Sequence, residues 1–317
     1  MLLTSPAGND LPFDEKLCET GRNFSNKIWN AFRLVKNWEI DESIDQPEHA
    51  ALAVEWMESR TNAALIDLES QYSEFRLSEA LMTSYRLVWE EFCSWYLELV
   101  KPVYGEPIDR KTLDATYVHF ERLVKILHPF MPFLTEEVWS WLGERKTAED
   151  ALIVAHWPEA GEVDASLLKN FDVLKEIVGG VRNVRNDNGI ANKEKLELRI
   201  QKDEDYPAGL SSAISHLTNL QNIEEVNEKV EGAFGFMIGR HRFYIPFGDG
   251  FDVEVEKEKI QKDLDYQKGF LKSVRGKLSN ERFVSGAPES VVLNERKKED
   301  DALAKIAIME EKLADLG

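Results

Sequence analysis

A stretch near the start of the chain combines positive charge, side-chain amides and an aromatic ring. At about 100° per residue, a helix gathers two lysines, two asparagines and a tryptophan on one side. Ammonium and amide groups of this kind hold phosphates and hydrogen-bond to bases, and an indole stacks on unpaired bases. The residues on this side are Lys16, Asn23, Lys27, Asn30, Leu34 and Trp38.

The whole window from residue 16 to residue 38 is basic, with five cations and only one acid, Glu19. Its remaining cations are Arg22, Arg33 and Lys36. The same spacing also fits an ordinary solvated helix face on which Trp38 closes the helix end. From spacing alone, that simpler interpretation is slightly favoured.

A second basic window lies between residues 266 and 282, where Glu281 is the one acid. Coiled coils usually alternate their charges, so a stretch of one sign suits a phosphate backbone. Its cations are Lys268, Lys272, Arg275, Lys277 and Arg282. A weaker cluster around residues 186–189 carries little weight. It consists of Arg182, Arg185, Lys193 and Lys195.

These basic windows contrast with an acidic average. The 317 residues include 58 acids and 39 cations, a formal net charge of −19. This excludes a protein that coats nucleic acid with uniform positive charge, but not a local patch, because salt screens charge over about 8 Å. With 43% hydrophobic residues the chain can bury a sizeable core, and its length suggests two or three domains.

The sequence contains no pattern of catalytic or metal-binding residues. It lacks a glycine-rich phosphate loop, a G-x-S-x-G turn and a histidine pair at ligand spacing. Two cysteines form no disulfide framework or four-cysteine metal site, which fits a reducing cytoplasm. Cys93 is expected in the core and His128 in a structural role. His119 is expected on the surface.

Three pairs of adjacent acids are interpreted as solvated helix surface. They are Glu90–Glu91, Glu136–Glu137 and Glu224–Glu225. No apolar run approaches the roughly 20 residues that a membrane helix needs, so no membrane partner is expected.

Residues 11–142 are predicted to form four or five helices joined by short, proline-marked links, an antiparallel bundle. One helix runs from about Glu48 to Tyr72, and another from Ala80 to Val100 shows apolar steps of four and three. Thr135 is predicted to cap a later helix with Glu136 and Glu137 in its first turn.

A small α+β unit is predicted next. Residues 151–155 and 196–200 are expected as strands, 164–186 and 211–220 as helices, and 234–238 with 242–247 as a hairpin. Beyond the breaker cluster at 246–250, apolar residues repeat every three or four positions in two series. We expect an antiparallel coiled-coil hairpin that turns at residues 285–288.

Four segments carry a family resemblance. Residues 21–33 (GRNFSNKIWNAFR), 92–102 (FCSWYLELVKP) and 128–139 (HPFMPFLTEEVW) resemble motifs of the helical anticodon-binding domain of valyl-tRNA synthetases. Residues 277–289 (KLSNERFVSGAPE) resemble the turn of the coiled-coil arm in the same family, although Gly286 stands where a basic residue is usual. The first three motifs are partly shared with isoleucyl and leucyl relatives, whereas the last indicates the valyl group.

The resemblance implies a tRNA-binding part of a class I enzyme. The family's register marks Lys16 and Lys27 as anticodon contacts, and it implies contacts to the outer corner of tRNA for the cations of the second window. Arg22, Asn23, Asn30 and Arg33, from the first basic window, are expected in the same anticodon site. Some relatives carry a stacking aromatic residue at the position of Leu34, and Trp38 is a possible substitute. How stacking is replaced at Leu34 stays open.

The H-I-G-H and K-M-S-K-S motifs of the family's catalytic core are absent from these residues. The chain is therefore expected to be a C-terminal fragment without aminoacylation activity, whose parent enzyme would use ATP and Mg²⁺ in the missing core. Its expected partners are tRNA-Val and that core, with the chain itself a cytoplasmic monomer. A helical interaction protein without an RNA role is the alternative.

The expected domains are a remnant of the catalytic-core junction (1–10), the anticodon-binding bundle (11–145), the α+β connector (146–250) and the arm (251–317).

Overall fold

The structure, a computed structural model, describes residues 15–144, 147–247, 253–279 and 289–315. It divides into two compact units. The first contains Met1–Gly179 and Pro207–Thr218, and the second contains Gly180–Tyr206 and Asn219–Gly317. The predicted boundaries follow sequence blocks, whereas both units are discontinuous, so the four-domain division stays a prediction. The predicted junction remnant lies outside the described residues.

The first unit is helical, as predicted. Its helices are α1 (Glu15–Lys36), α2 (Glu48–Ser73), α3 (Leu77–Arg86), a π-helical segment (Leu87–Tyr96), α4 (Leu97–Val100), α5 (Arg110–Leu127) and α6 (Pro132–Leu142). Helix α7 (Ala165–Asp187) begins in this unit and ends in the second, and α8 (Ser211–Thr218) belongs to the first.

Aspartates begin two of these helices. The Asp109 carboxylate accepts a hydrogen bond from the Thr112 backbone N–H at 2.8 Å, before α5. The Asp164 carboxylate accepts one from the Leu167 N–H at 2.8 Å, before α7. Each aspartate satisfies an N–H group that has no partner within its own helix.

Aromatic rings fill the core of the first unit. The Trp56 ring of α2 stacks on Phe171 of α7 with centroids 3.8 Å apart. Phe120 of α5 meets Phe92 edge-on at 4.8 Å and Phe32 of α1 at 6.2 Å. These contacts explain the three- and four-residue spacing of apolar residues in the sequence, since each helix buries one stripe.

The helix predicted from Ala80 to Val100 is continuous, but its central ten residues are π-helical. The wider turn is visible at Ser94, whose hydroxyl donates to the carbonyl oxygen of Trp89, five residues earlier, at 2.8 Å. Apolar spacing did not predict this segment, because steps of four and three residues are typical of an ordinary α-helix.

The π-helical segment buries Glu91, so the prediction of a solvated Glu90–Glu91 pair was wrong for Glu91. Its carboxylate lies 2.6 Å from the Lys175 ammonium group of α7 and 3.2 Å from the Arg60 guanidinium of α2. Lys175 also lies over the Trp56 ring, 5.1 Å from its centroid. A buried carboxylate is tolerated here because two cations neutralise it.

The start of α6 also differs from the prediction. The helix begins at Pro132, because a proline suits the first turn of a helix. Thr135 lies inside the helix, and its hydroxyl donates to the Met131 carbonyl at 2.8 Å rather than capping the end. The Glu136 carboxylate accepts hydrogen bonds from the Leu152 N–H at 3.0 and 3.1 Å, so it is not simple solvated surface.

Residues Leu152–Val154 form a 3-10 turn instead of the predicted strand. The hydrogen bond to Glu136 holds this turn against α6, and no strand pairs with it in the part of the chain that the structure describes. Its β-branched composition was therefore misleading, since strand formation needs a neighbouring strand.

His119 is buried, with 2% of its surface exposed, so the prediction of a surface position was wrong. Its ring meets Tyr96 edge-on at 5.1 Å. Burial lowers the pKa of His119 to about 4, which keeps the imidazole neutral at pH 7. Helix α5 packs on α1, α2 and α6 together, so more than one of its sides is covered.

The second unit contains a four-stranded mixed sheet in the order β2-β1-β4-β3. The strands are β1 (Leu196–Gln201), β2 (Leu220–Glu225), β3 (Ala233–Ile238) and β4 (His241–Pro246). β1 pairs parallel with β2 and antiparallel with β4. The predicted hairpin is confirmed as β3 and β4, joined through Gly239, whose φ of 56° costs little without a Cβ atom.

Strand β2 was missed by the sequence, which extended a helix to Leu220. Helix α8 ends at Thr218 because Asn219 adopts φ 52°, a left-handed conformation that asparagine tolerates. Glu224 and Glu225 therefore lie on an edge strand, not on a helix.

Two long helices end the described chain, α9 (Val253–Leu278) and α10 (Glu289–Asp315). Between them lies a small buried cluster of Leu264, Leu271, Ala302 and Ile306. Ion pairs between the two helices run in opposite sequence order, since Lys268 contacts Glu310 and Lys277 contacts Glu295. Among the described helices, none combines the length and apolar character that spanning a membrane requires.

The packing of α7 on the sheet can be tested at two adjacent glycines. An alanine methyl group at Gly180 would overlap the ring of Phe236 on β3, whereas one at Gly179 meets nothing within 4 Å. We expect Gly180→Ala to lower the free energy of unfolding by about 1–3 kcal/mol through overpacking. Gly179→Ala should raise it by about 0.5–1 kcal/mol through helix propensity. Urea denaturation of both variants measures the difference, and equal effects would contradict this packing.

Candidate nucleic-acid interface

Helix α1 is held to the first unit by one apolar side. Phe24, Ile28 and Val35 are buried. The Phe24 ring packs on Tyr85 of α3 at 4.7 Å and on Trp89 of the π-helical segment at 6.2 Å. This attachment leaves the predicted basic and amide side chains on the outer side of the helix.

The predicted residues of α1 are largely accessible. Lys27 and Trp38 are half-buried, and the Leu34 side chain is 43% exposed. Neither Arg22 nor Arg33 forms an ion pair with any described residue. The exposed residues of the predicted set are Lys16, Arg22, Asn23, Asn30, Arg33 and Leu34. Apart from Trp38, which lies two residues beyond the end of α1, these side chains lie on the side of the helix away from its buried stripe, which we call the α1 surface.

Lys27 lies beside two side chains of the π-helical segment. Its ammonium nitrogen is 5.4 Å from the centroid of the Trp89 ring, a cation–π distance. It also lies near Cys93, whose pKa burial raises to about 12, while the charge of Lys27 acts in the opposite direction. Cys93 is therefore a protonated core thiol, as the sequence predicted.

The opposite flank of α1 carries a second contact between a cation and an indole. The Lys36 ammonium nitrogen lies 3.2 Å from the centroid of the Trp141 ring on α6. The Trp141 indole N–H donates to the Glu137 carboxylate at 3.1 Å, which orients the ring. Trp141 remains 54% exposed.

Sequence reasoning missed Tyr85, Trp89 and Trp141 as neighbours of the basic window. Tyr85 falls on the apolar stripe of the helix predicted from Ala80 to Val100, and the sequence indicated no role for the two tryptophans. Tyr85 and Trp89 are four residues apart, and this spacing was a signal that both rings lie on one side of the helix. The sequence offered no signal that this side would meet Lys27.

The arm cations are mostly paired. Lys268 lies 2.7 Å from Glu310, Arg275 lies 2.6 Å from Glu299, and Lys277 lies 3.4 Å from Glu295. Each acid belongs to α10, so the expectation of a stretch of one sign does not hold once the second helix is in place. Lys272 is exposed and forms no ion pair with described residues, and Arg282 lies outside them.

The third basic cluster is partly structural. Arg185 is buried, and its guanidinium donates to the backbone carbonyls of Ala191 and Glu194, both at 2.9 Å. Burial lowers the pKa of Arg185. These bonds hold the loop that leads into β1, which agrees with the small weight that the sequence gave to this cluster.

Two parts of the chain match known families. Residues 54–200 match the anticodon-binding domain of tRNA ligase, and residues 252–317 match the valyl tRNA synthetase tRNA binding arm. The helical fold of the first unit and the match of residues 54–200 define the class of protein. It is an anticodon-binding domain of the kind found in tRNA ligases.

Similar proteins narrow the class further. The chain is 49% identical over 316 residues to a valine–tRNA ligase from Christiangramia forsetii and 48% identical over 316 residues to one from Parabacteroides distasonis. Both alignments cover 100% of the chain and 36% of the relative. A valine–tRNA ligase from Listeria innocua is 32% identical over 327 residues, covering 98% of the chain and 37% of the relative. The chain matches the C-terminal part of valine–tRNA ligases and spans about a third of the relatives' length.

The burial of Cys93 beside Lys27 predicts that its thiol is protected from chemical labelling in the native protein. Cys18 is exposed and Cys93 is buried, with its thiol protonated far above neutral pH. We expect a thiol reagent at pH 8 to modify one thiol in the native protein and two after unfolding. Mass spectrometry of the labelled peptides measures this, with Cys18→Ser as the control in which no rapid labelling remains. Equal native rates at both cysteines would contradict the packing of this segment.

Proposed function

We propose that this chain is the tRNA-binding part of a valine–tRNA ligase, in which the α1 surface contacts the anticodon of tRNA-Val. The observation that carries the proposal is the set of exposed cations and amides on α1, in a chain that matches valine–tRNA ligases. Arg22 and Arg33, which form no ion pair with a described residue, suit phosphates, and the amides of Asn23 and Asn30 suit base edges.

The two long helices suit a coiled-coil hairpin that contacts the outer corner of the tRNA. Support comes from the buried cluster around Leu264 and Ile306 and from the opposite order of the ion pairs between α9 and α10. Lys272 is the cation of this window best placed for a phosphate, since it pairs with no acid in the part of the chain that the structure describes. Lys268, Arg275 and Lys277 would have to exchange their glutamates for phosphates.

Chemistry is assigned to a part of the enzyme beyond these residues. ATP and Mg²⁺ would bind in that catalytic core, and the present residues would bind and orient tRNA without aminoacylating it. The remaining features of the proposal are a monomeric, cytoplasmic enzyme and the four-domain division predicted from the sequence. A helical interaction module without an RNA role is not favoured, because both family matches are to tRNA-binding domains.

Lys27→Ala tests the α1 surface. Removing the ammonium group should weaken binding of tRNA-Val about three- to tenfold at low salt, because one charge-assisted contact is lost. The matched control is Lys169→Ala, which removes an exposed lysine of α7. Filter binding with tRNA-Val and an unrelated tRNA measures both affinity and selectivity. An unchanged affinity for Lys27→Ala would remove Lys27 from the interface.

Salt dependence tests the arm. Binding through phosphates predicts that the logarithm of the association constant falls linearly with the logarithm of salt concentration. Lys272→Ala should make this slope shallower by about one, the loss of one phosphate contact. Lys268→Ala is the control with the smaller expected change, because Glu310 already occupies Lys268. A flat dependence in the unaltered chain would contradict phosphate binding by the arm.

A further inference from the structure

Two aromatic rings lie directly beside the α1 surface. Tyr85 and Trp89 stack on each other with ring centroids 5.7 Å apart and planes 12° apart. The Phe24 ring supports both from within the core. Phe24 is only 5% exposed, whereas Tyr85 and Trp89 are half-buried, so neither residue is fully enclosed in the core.

A cation borders this aromatic pair. The Lys27 ammonium nitrogen lies 5.4 Å from the centroid of the Trp89 ring. On α1, Asn23 lies one turn before Lys27 and is exposed. Aromatic rings next to cations are the combination with which proteins bind single-stranded nucleic acid, because the ring stacks on a base while the cation holds a phosphate.

The backbone at Trp89 is unusual as well. Trp89 lies in the first turn of the π-helical segment Leu87–Tyr96. Its carbonyl oxygen accepts the Ser94 hydroxyl at 2.8 Å, a bond that spans the wider turn. π-Helical turns are rare and frequently lie at functional sites, where they redirect side chains. In this wider turn, Trp89 lies against Lys27. Glu91, two residues later, points into the interior.

We infer that Tyr85 and Trp89 form a stacking platform for one unpaired base of the RNA that α1 binds. The inference rests on the proposed function. It adds two residues that would stack on a base, because Leu34 of α1 has no aromatic ring to do so. Trp89 fits this role better than Trp38, because Trp89 contacts Lys27 directly. One base would stack on the accessible part of this aromatic pair while Lys27 contacts a neighbouring phosphate.

The experiment uses the full 317-residue chain and the anticodon stem-loop of tRNA-Val, intact or with a single abasic nucleotide at each loop position in turn. Trp89→Leu should weaken binding of the intact RNA roughly 5- to 150-fold, the range found when stacking on one base is lost. On one abasic RNA, and only there, Trp89→Leu and the unaltered chain should bind alike, since the base that stacks is already missing.

Matched variants separate stacking from a structural effect. Trp141→Leu removes a more exposed indole that pairs with Lys36 instead of Lys27, and it should change affinity less than twofold. Tyr85→Phe keeps the ring and should bind as the unaltered chain does, whereas Tyr85→Leu should weaken binding. Trp89→Phe retains a smaller ring, so it should bind with intermediate affinity and show the same dependence on one loop position.

The possible results are distinct. Unchanged affinity of Trp89→Leu, or an equal loss on every abasic RNA, would overturn the platform while leaving tRNA binding intact. If Trp89→Leu fails to fold in a thermal melt, the abasic series with Trp89→Phe decides the question in the same way. If the unaltered chain binds no RNA, the proposed function fails, and the platform with it.

Discussion

The buried carboxylate of Glu91 is the interaction on which the arrangement of the first unit depends. It lies on the π-helical segment, and its two cationic partners, Arg60 and Lys175, come from α2 and α7. An ionised carboxylate without partners in such a position would cost several kcal/mol, so the three segments must stay in register for the charge to be neutralised. Two aromatic rings, Trp56 and Phe171, flank the Lys175 ammonium group.

The same constraint reaches the α1 surface. Glu91 points inward only two residues after Trp89, which faces Lys27 of α1. Any rotation of the segment that moved Trp89 away from Lys27 would also draw the Glu91 carboxylate away from Lys175. The geometry of an accessible aromatic ring is thereby coupled to a buried ion pair, and the wider π-helical turn lets one short segment serve both sides.

Sequence periodicity predicted most helices of the first unit because each buries a stripe of apolar side chains. It did not predict Glu91 or His119 inside, since their burial depends on partners distant in sequence, such as Lys175 and Tyr96. Strand β2 was missed for a related reason. As an edge strand it buries only Leu220, which leaves too few apolar positions for a period of two to show.

At the candidate site, too, the sequence predicted the types of residue but not their partners in space. The sequence identified the cations of α1 and of the arm by type, but their availability depends on which acids face them. Lys268 and Arg275 are paired with glutamates of α10, whereas Arg22 and Arg33 form no ion pair with a described residue. A net charge of −19 therefore says little about either surface, because the acids act through particular pairs.

Charge and stacking would contribute differently to RNA binding by such a chain. Cations on α1 and on α9 attract any phosphate backbone, so they favour many registers almost equally. A ring held between Phe24 and Lys27 is fixed in place, and it favours the register that brings an unpaired base to it. Paired acids on α10 weaken the non-selective attraction of the arm. Selection among RNAs would then depend more on the fixed contacts near Trp89 than on the arm.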